Sequence, residues 1–217
     1  MTGNASRTGP VALDVRLLGP LEVRAGEDAP ALGGLRRRAL LARLAVDAGQ
    51  VVSVERLVDD LWGEQVPDSA VKMLHIYVSQ LRKVLPPGAL VTRPPGYLLA
   101  VDPDGTDAGR FGRLRAEGRA LLAQGDPAAA AVRLRVALAL WRGEALAEFR
   151  EPFAAAERAH LEELRLTCLE DRIASDLALG RHADVAGELE SLAARLPLRE
   201  GVRRQLMLAL HRSGRHA

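Results

Sequence analysis

The 217-residue sequence predicts a mostly α-helical chain with a small β component, and three observations carry that reading. The first is Pro67–Tyr97, PDSAVKMLHIYVSQLRKVLPPGALVTRPPGY, where an amphipathic period stops at Pro86-Pro87 and two short apolar runs follow around an Arg93-Pro94-Pro95-Gly96 corner. That is the pattern of a helix followed by a β-hairpin. The second is what precedes it: short strand-like runs and two more helical segments, so that the order is strands, three helices, hairpin. This order is that of a winged helix-turn-helix with an N-terminal sheet. The third lies beyond Asp102, where strand signals cease and Gly180-Arg181-His182-Ala183 recurs as Gly214-Arg215-His216-Ala217. The spacing of 34 residues is the period of tetratricopeptide helix pairs. The expected organisation is a small, polar, disordered stretch over 1–12, a winged helix-turn-helix over 13–102, and an all-α tetratricopeptide-like domain over 107–217.

Taken in order, Val15-Arg16-Leu17-Leu18 and Leu21-Glu22-Val23 read as two strands around Gly19-Pro20, with a third expected near Ala31-Leu32. Leu35–Ala48 is a helix with Leu40, Leu41, Leu44 and Ala45 inward, ended by Gly49. After an extended Val51-Val52, Ser53 caps a helix through Trp62, with Glu55 in the first turn, where the dipole favours an acid. Leu57, Val58, Leu61 and Trp62 form its apolar face. In the third helix Asp68 or Ser69 is the cap, and Val71, Leu74, Val78, Leu81 and Leu85 recur at steps of three and four as one buried stripe. Leu90-Val91-Thr92 and Tyr97–Val101 are the hairpin strands, and Asp102–Gly105 is a turn-rich junction. Asp107 is expected to cap a helix to Ala123. Asp126 and Pro127 start the next, which runs through Trp141. An irregular segment reaches Pro152, and helices then cover 153–179, 183–196 and 198–212, separated by Gly180 and Pro197.

Bulk charge announces no partner, since 30 basic residues stand against 28 acidic ones for a net +2. All fixed cations but Lys72 and Lys83 are arginine, which with the abundant alanine reads as a GC-rich genome and weakens any single arginine as a signal. The distribution is more telling. Between Pro67 and Tyr97, Lys72, Arg82, Lys83 and Arg93 face the lone Asp68, whereas Glu55, Asp59, Asp60 and Glu64 make the preceding segment acidic. Cys168 is the single cysteine, which excludes an internal disulfide and a cysteine-cluster metal site, and its apolar helical setting makes it a small core residue. The five histidines have no metal-ligand spacing, and Gly33-Gly34 is not a phosphate loop. Ser53 and Ser69 read as caps, and Glu162-Glu163 and Glu170-Asp171 as solvated helix charge. No enzyme activity, metal or cofactor is therefore expected. Met1–Gly9 lacks the apolar core of a signal peptide, and Arg133 and Arg135 interrupt the most alanine-rich run. The expectation is a soluble, cytoplasmic protein with no membrane partner.

Opposite its stripe, the third helix gathers Lys72, Ile76, Ser79, Gln80 and Lys83, with Met73 and Arg82 at the flanks, and no acid among them. Any surface helix has a polar outer face, and most such faces are solvated. The hairpin with Arg93 at its tip turns the balance toward double-stranded DNA, whose major groove admits a helix and displays distinct base patterns. Gln80 is the first candidate for base reading, because its amide pairs bidentately with adenine, and Ile76 suits a thymine methyl group. Lys72, Arg82 and Lys83 suit phosphate or guanine, and Ser79 a phosphate. Arg93 would enter the adjacent minor groove or meet its backbone, with Thr92 beside it. Tyr77 either packs under the hairpin or touches DNA. Arg36, Arg37 and Arg38, at the start of the first helix, are either a backbone contact or a solvated cluster.

Four stretches, VRLLGPLEV, LVDDLWGE, YVSQLRKVL and RPPGYLL, together resemble the winged helix of OmpR-type regulators, and more closely that of the Streptomyces antibiotic regulatory protein family. The stretches LLAQGDP, ALALWRG, PLRE and LMLAL resemble the bacterial transcriptional activation domain that follows it in the same family, so the resemblance covers 15–217. It implies a sequence-specific activator that binds direct repeats in the promoters of secondary-metabolite (antibiotic) genes, as a homodimer of side-by-side protomers on the DNA, nucleoid-associated, recruiting RNA polymerase including its sigma factor. In OmpR-type regulators the loop between the second and third helices faces polymerase. The corresponding residues are Asp59, Asp60, Glu64 and Asp68, weighed against a simple acidic surface turn. With the winged helix beginning near residue 13, no receiver domain and no regulation by receiver phosphorylation are expected. Ala217 falls where the second helix of a repeat should begin, so a truncated or shortened member is expected. Two other readings use the same residues: a helical protein-interaction scaffold whose winged helix binds protein, and a repressor with identical DNA contacts.

Overall fold

A computed structural model describes residues 13–214, so the expected disordered stretch over 1–12 and the last three residues of the second Gly-Arg-His-Ala sequence lie outside the described residues. The chain is mostly helical with two small sheets, as the sequence predicts. It divides into two compact units, one formed by the chain up to Arg110 together with Trp141–Leu161, the other by Phe111–Leu140 and the chain from Glu162.

The first unit opens with β1 (Leu13–Arg16) and β2 (Glu22–Ala25), antiparallel with Val15 opposite Val23. The third strand expected near Ala31-Leu32 is not formed, since among the described residues this sheet has two strands. Pro30 has no N–H to give a ladder, and Gly33, at φ 82°, turns the chain into α1 (Leu35–Val46). Leu32 is instead buried as a single anchoring side chain. β3 (Val52–Ser53), α2 (Val54–Trp62), α3 (Ala70–Val84), β4 (Leu90–Arg93) and β5 (Gly96–Leu99) follow. The second sheet is antiparallel in the order β3-β5-β4. Ser53 caps α2 as expected, accepting the Arg56 N–H at 3.1 Å. Leu40, Leu41, Leu44, Leu57, Leu61, Leu74, Leu81 and Leu99 meet in a core that also takes in Leu146, Phe149 and Phe153 from the far end of the sequence.

The link to those distant residues starts at Leu17 and Leu18, both fully buried just after β1. Their N–H groups donate to the two carboxylate oxygens of Asp107, at 2.6 and 3.1 Å. Their carbonyls accept the N–H groups of Leu146 at 3.0 Å and Arg142 at 2.8 Å. Asp107 is therefore not the cap that its position suggests. The Thr106 hydroxyl takes that role, accepting the Gly109 N–H at 2.9 Å at the start of α4 (Asp107–Ala123). Burial pushes the Asp107 carboxyl above its usual range, and the two N–H donors pull it back only in part. The commitment of the Arg142 amide also explains why α5 (Pro127–Leu138) ends before Trp141, three residues short of expectation. Leu146 stands at φ 53°, a left-handed backbone that costs a non-glycine residue about 1 kcal/mol. It is held there from both sides: its N–H by Leu17, its carbonyl by the Arg158 guanidinium, which also binds the carbonyls of Ala145 and Phe149.

The second unit contains the remaining part of α4, α5, the later part of α6 (Pro152–Ala178), α7 (His182–Arg195) and α8 (Glu200–Arg212). Gly180 and Gly214, the glycines of the repeated sequence, follow α6 and α8 at φ 80° and 73°, the left-handed backbone of helix ends. Ile173, Leu177, Val185, Ala186, Leu189, Leu192, Val202 and Ala209 form a core among α6, α7 and α8. Asp176, nearly fully buried, binds Arg135, Arg172 and Arg181. Burial raises its carboxyl, but the hydrogen bonds from those guanidinium groups outweigh it and hold Asp176 below the usual range. Cys168 is buried, and its thiol is pushed up to about 12 by burial, which leaves it an inert packing group. Among the described residues no helix is long and apolar enough to cross a membrane, and no group of three His, Cys, Asp or Glu could hold a metal ion.

Both tryptophans of the chain lie in the first unit, so intrinsic fluorescence reports its unfolding. Replacing Asp107 by Ala strands two buried N–H groups and should lower stability to urea by about 3 kcal/mol, while Asn, which keeps one acceptor, should lose about half as much. Gly96→Ala should cost about 2 kcal/mol or more in the same assay. A Cβ there would sit 1.8 Å from the Val52 carbonyl oxygen and 2.7 Å from Ser53 Cα, so the backbone of β3 would have to move.

Candidate nucleic-acid interface

α3 starts without a side-chain cap: Asp68 and Ser69 do not serve, and the Ser69 hydroxyl lies instead 3.5 Å from Met73 Sδ. The Ala70 N–H is satisfied by the carbonyl of Pro67 at 2.9 Å, and the helix stops where Leu85 turns extended before Pro86. Ala70, Leu74, Val78 and Leu81 point inward, with Leu85 beyond the end. Val71, expected in this stripe, is 47 % exposed. At about 100° per residue Ala70 and Val71 straddle the stripe's edge, and it is the smaller Ala70 that turns in.

The outward face holds Lys72, Ile76, Ser79 and Lys83, all exposed, with Met73 and Gln80 half-buried at its border. Ile76 is 44 % exposed, an aliphatic side chain in the middle of a polar face. No acid occurs in α3. Two residues of this surface are not assigned from sequence, Val71 and His75. Counting by threes and fours puts Val71 inside, and His75 is placed only by its ring, edge-on to Tyr97 at 6.3 Å.

The hairpin stands beside this helix. Thr92 pairs with Tyr97 and Arg93 with Gly96 in the ladder, so Arg93 is at the tip, exposed, with Thr92 next to it. The hairpin is held near its tip as well: β5 pairs with β3 through Gly96 and Tyr97, and the Val54 N–H donates to the Pro95 carbonyl at 3.2 Å. Arg82 joins helix and hairpin, its Nε donating to the Leu90 carbonyl at 3.0 Å and its Nη2 to Thr92 Oγ1 at 2.7 Å. Among the described residues Lys72, Lys83 and Arg93 make no side-chain hydrogen bond or ion pair, so their charges are available.

The other candidates have structural partners. Tyr77 stacks on Trp62 of α2, rings 6.4 Å apart and 13° from parallel, rather than lying under the hairpin. Arg36 donates to the Leu61 carbonyl and to Glu151, the latter at 3.2 Å. Arg38 binds both oxygens of Glu148, at 2.6 and 3.0 Å, and the Leu21 carbonyl. Two of the three arginines at the start of α1 are thus engaged by carboxylates and carbonyls of the protein, although Arg36 stays exposed. Of the acidic set, Asp59, Glu64 and Asp68 are exposed around the link between α2 and α3. Asp60 is not: it is 6 % exposed and holds Arg43 at 2.5 Å and Arg56 at 3.0 Å. A carboxylate so placed braces α1 against α2 and is withdrawn from any partner.

Residues 33–99 match the family described as "Transcriptional regulatory protein, C terminal", and residues 106–217 match "Bacterial transcriptional activator domain". The regulatory protein DnrI of Streptomyces peucetius is 40 % identical over 215 residues, which cover 94 % of this chain and 79 % of DnrI. The regulatory protein AfsR of Streptomyces coelicolor is 42 % identical over 95 % of this chain, which spans only 21 % of AfsR. The solved structure of Mycobacterium tuberculosis EmbR in complex with a low affinity phosphopeptide superposes with a TM-score of 0.89 at 34 % identity, covering 94 % of this chain and 56 % of that one.

The packing of Tyr77 separates it from the outward face. Tyr77→Phe keeps the stack on Trp62 and should leave urea stability unchanged, whereas Tyr77→Ala should lose about 1–2 kcal/mol. Unchanged stability of the alanine variant would return Tyr77 to the interface.

Proposed function

The chain belongs to the Streptomyces antibiotic regulatory protein family of transcriptional regulators, and we propose that it is a DNA-binding activator of secondary-metabolite genes that reads promoter direct repeats through α3 and its hairpin. The observation that carries this reading is the outward face of α3: exposed, free of acids, and set beside a hairpin with the unpaired Arg93 at its tip. A face of this kind suits the major groove, with the hairpin reaching the neighbouring minor groove or its phosphates.

Within that reading the residues divide by chemistry. Gln80 reads a base edge and Ile76 meets a thymine methyl group. Lys72 and Lys83 neutralise phosphates, Ser79 donates to one, and Met73 borders the groove. Arg93, with Thr92, anchors the wing. The exposed acids Asp59, Glu64 and Asp68 are offered to RNA polymerase, and the helical unit to its sigma factor. Two protomers side by side on direct repeats require a head-to-tail contact rather than a two-fold one.

Binding to a duplex with tandem direct repeats, followed across a salt series, tests the proposal. Affinity should be sequence-selective and fall linearly on a log–log plot against salt, with Lys72→Ala and Lys83→Ala each reducing the slope by about 1. Gln80→Ala should cost about 1–3 kcal/mol on the preferred duplex and relax selectivity. Adding the protein to polymerase on such a promoter should raise transcription; a fall would make it a repressor. Failure to hold any duplex at low salt would sink the DNA-binding reading and leave a protein-interaction scaffold.

A further inference from the structure

Arg82 differs from the other cations of the proposed interface in one respect, which is that its guanidinium is turned toward the protein. Its Nε holds the Leu90 carbonyl at 3.0 Å and its Nη2 the Thr92 hydroxyl at 2.7 Å. Its guanidinium carbon lies 5.9 Å from the centre of the Tyr97 ring. Leu90 and Thr92 are on β4, and Tyr97 is the cross-strand partner of Thr92 on β5. One side chain of α3 therefore grips both strands of the hairpin. The grip matters because β4 is an edge strand, bonded to β5 on one side only, whereas β5 is also held by β3; Arg82 is what ties β4 and its Thr92 to α3. Arginine suits this position because its planar fork presents donors in fixed directions to two acceptors while its flat face covers a ring, a rigid geometry that the flexible point charge of lysine does not supply.

We infer that Arg82 is a positioning residue for the wing, fixing Thr92 and Arg93 relative to α3 so that helix and hairpin meet one duplex together, and that it acts through Arg93 rather than by its own contact with DNA. This rests on the DNA-binding reading above. A hairpin already locked loses no freedom when it docks, so its contact with DNA is made at full strength.

Two measurements on the full chain test it. Without DNA, Arg82→Ala should speed hydrogen exchange of the β4 and β5 amides and leave the exchange of α1 and α2 unchanged. If exchange in the hairpin is unaltered, the inference is overturned whatever the protein binds. With a tandem-repeat duplex, Arg82→Ala and Arg93→Ala should each weaken binding about tenfold and flatten the salt dependence alike, and the double variant should be little worse than either. Additive losses, about a hundredfold with a salt slope lower by about 2, would show that Arg82 meets a phosphate directly and would overturn the inference. If the unaltered chain binds no duplex while Arg82→Ala still loosens the hairpin, it is the DNA-binding reading that falls, and a positioning role in DNA recognition falls with it.

Discussion

Two peptide groups, those of Leu17 and Leu18, lie where water does not reach, and each of their four polar atoms has one partner drawn from far along the chain. A buried amide or carbonyl left without a partner costs about 1–3 kcal/mol, so this cluster is a strong constraint on where the rest of the chain can go. Asp107 must stand at the turn to satisfy the two N–H groups, which sets the start of α4. Arg142 and Leu146 must return to satisfy the carbonyls, which ends α5 early and brings Phe149 and Phe153 into the N-terminal core. The left-handed backbone at Leu146 belongs to the same demand, and Arg158 holds the turn in it. The helices of the winged helix rest on a core completed by these late residues.

The same returning segment shapes the charge of the surface. Glu148 and Glu151 take Arg38 and Arg36 out of play. Half-exposed pairs of this kind contribute little to stability. Their larger effect is on the field, since they neutralise most of a cationic cluster at the start of α1. α3 has no acid of its own, so Lys72 and Lys83 keep their charge, and Arg93 at the hairpin tip keeps its own. A net charge near zero thus conceals a helix that bears cations and no acid, set beside a hairpin with an arginine at its tip.

Much of this is legible in the sequence because it is local. The period of α3, the Ser53 cap, the Pro86 stop and the two apolar runs around Pro94-Pro95 are each decided within a few residues. What escapes is decided over long separations. Nothing near Asp107 says that its carboxylate will serve Leu17 rather than its own helix, and nothing near Arg38 says that Glu148 will cover it. Asp60 reads like its exposed neighbour Asp59, and only the approach of Arg43 from α1 makes it a buried brace. Val71 is misplaced by a finer effect, since two adjacent apolar residues at a helix edge compete for one inward position. The third strand near Leu32 fails for want of a donor at Pro30 and because Gly33 turns the chain too soon. For Tyr77 the alternatives are settled by Trp62, a partner on another helix.

The compact unit that carries α3 and the hairpin is assembled from two stretches of chain, with thirty residues of another unit encoded between them. This bears on how relatives of the protein can exchange parts. A crossover just after the hairpin looks neutral, because it falls in a polar turn between apparent modules. It would pair the Leu17 and Leu18 peptide groups of one parent with the Asp107, Arg142 and Leu146 of another, and the arginines of α1 with foreign acids. A hybrid gene would keep a matched pair only if its junctions lay beyond Leu161, or if a second exchange restored the returning segment. The winged-helix half and the segment at 141–161 are in that sense one heritable unit, although the gene writes them apart.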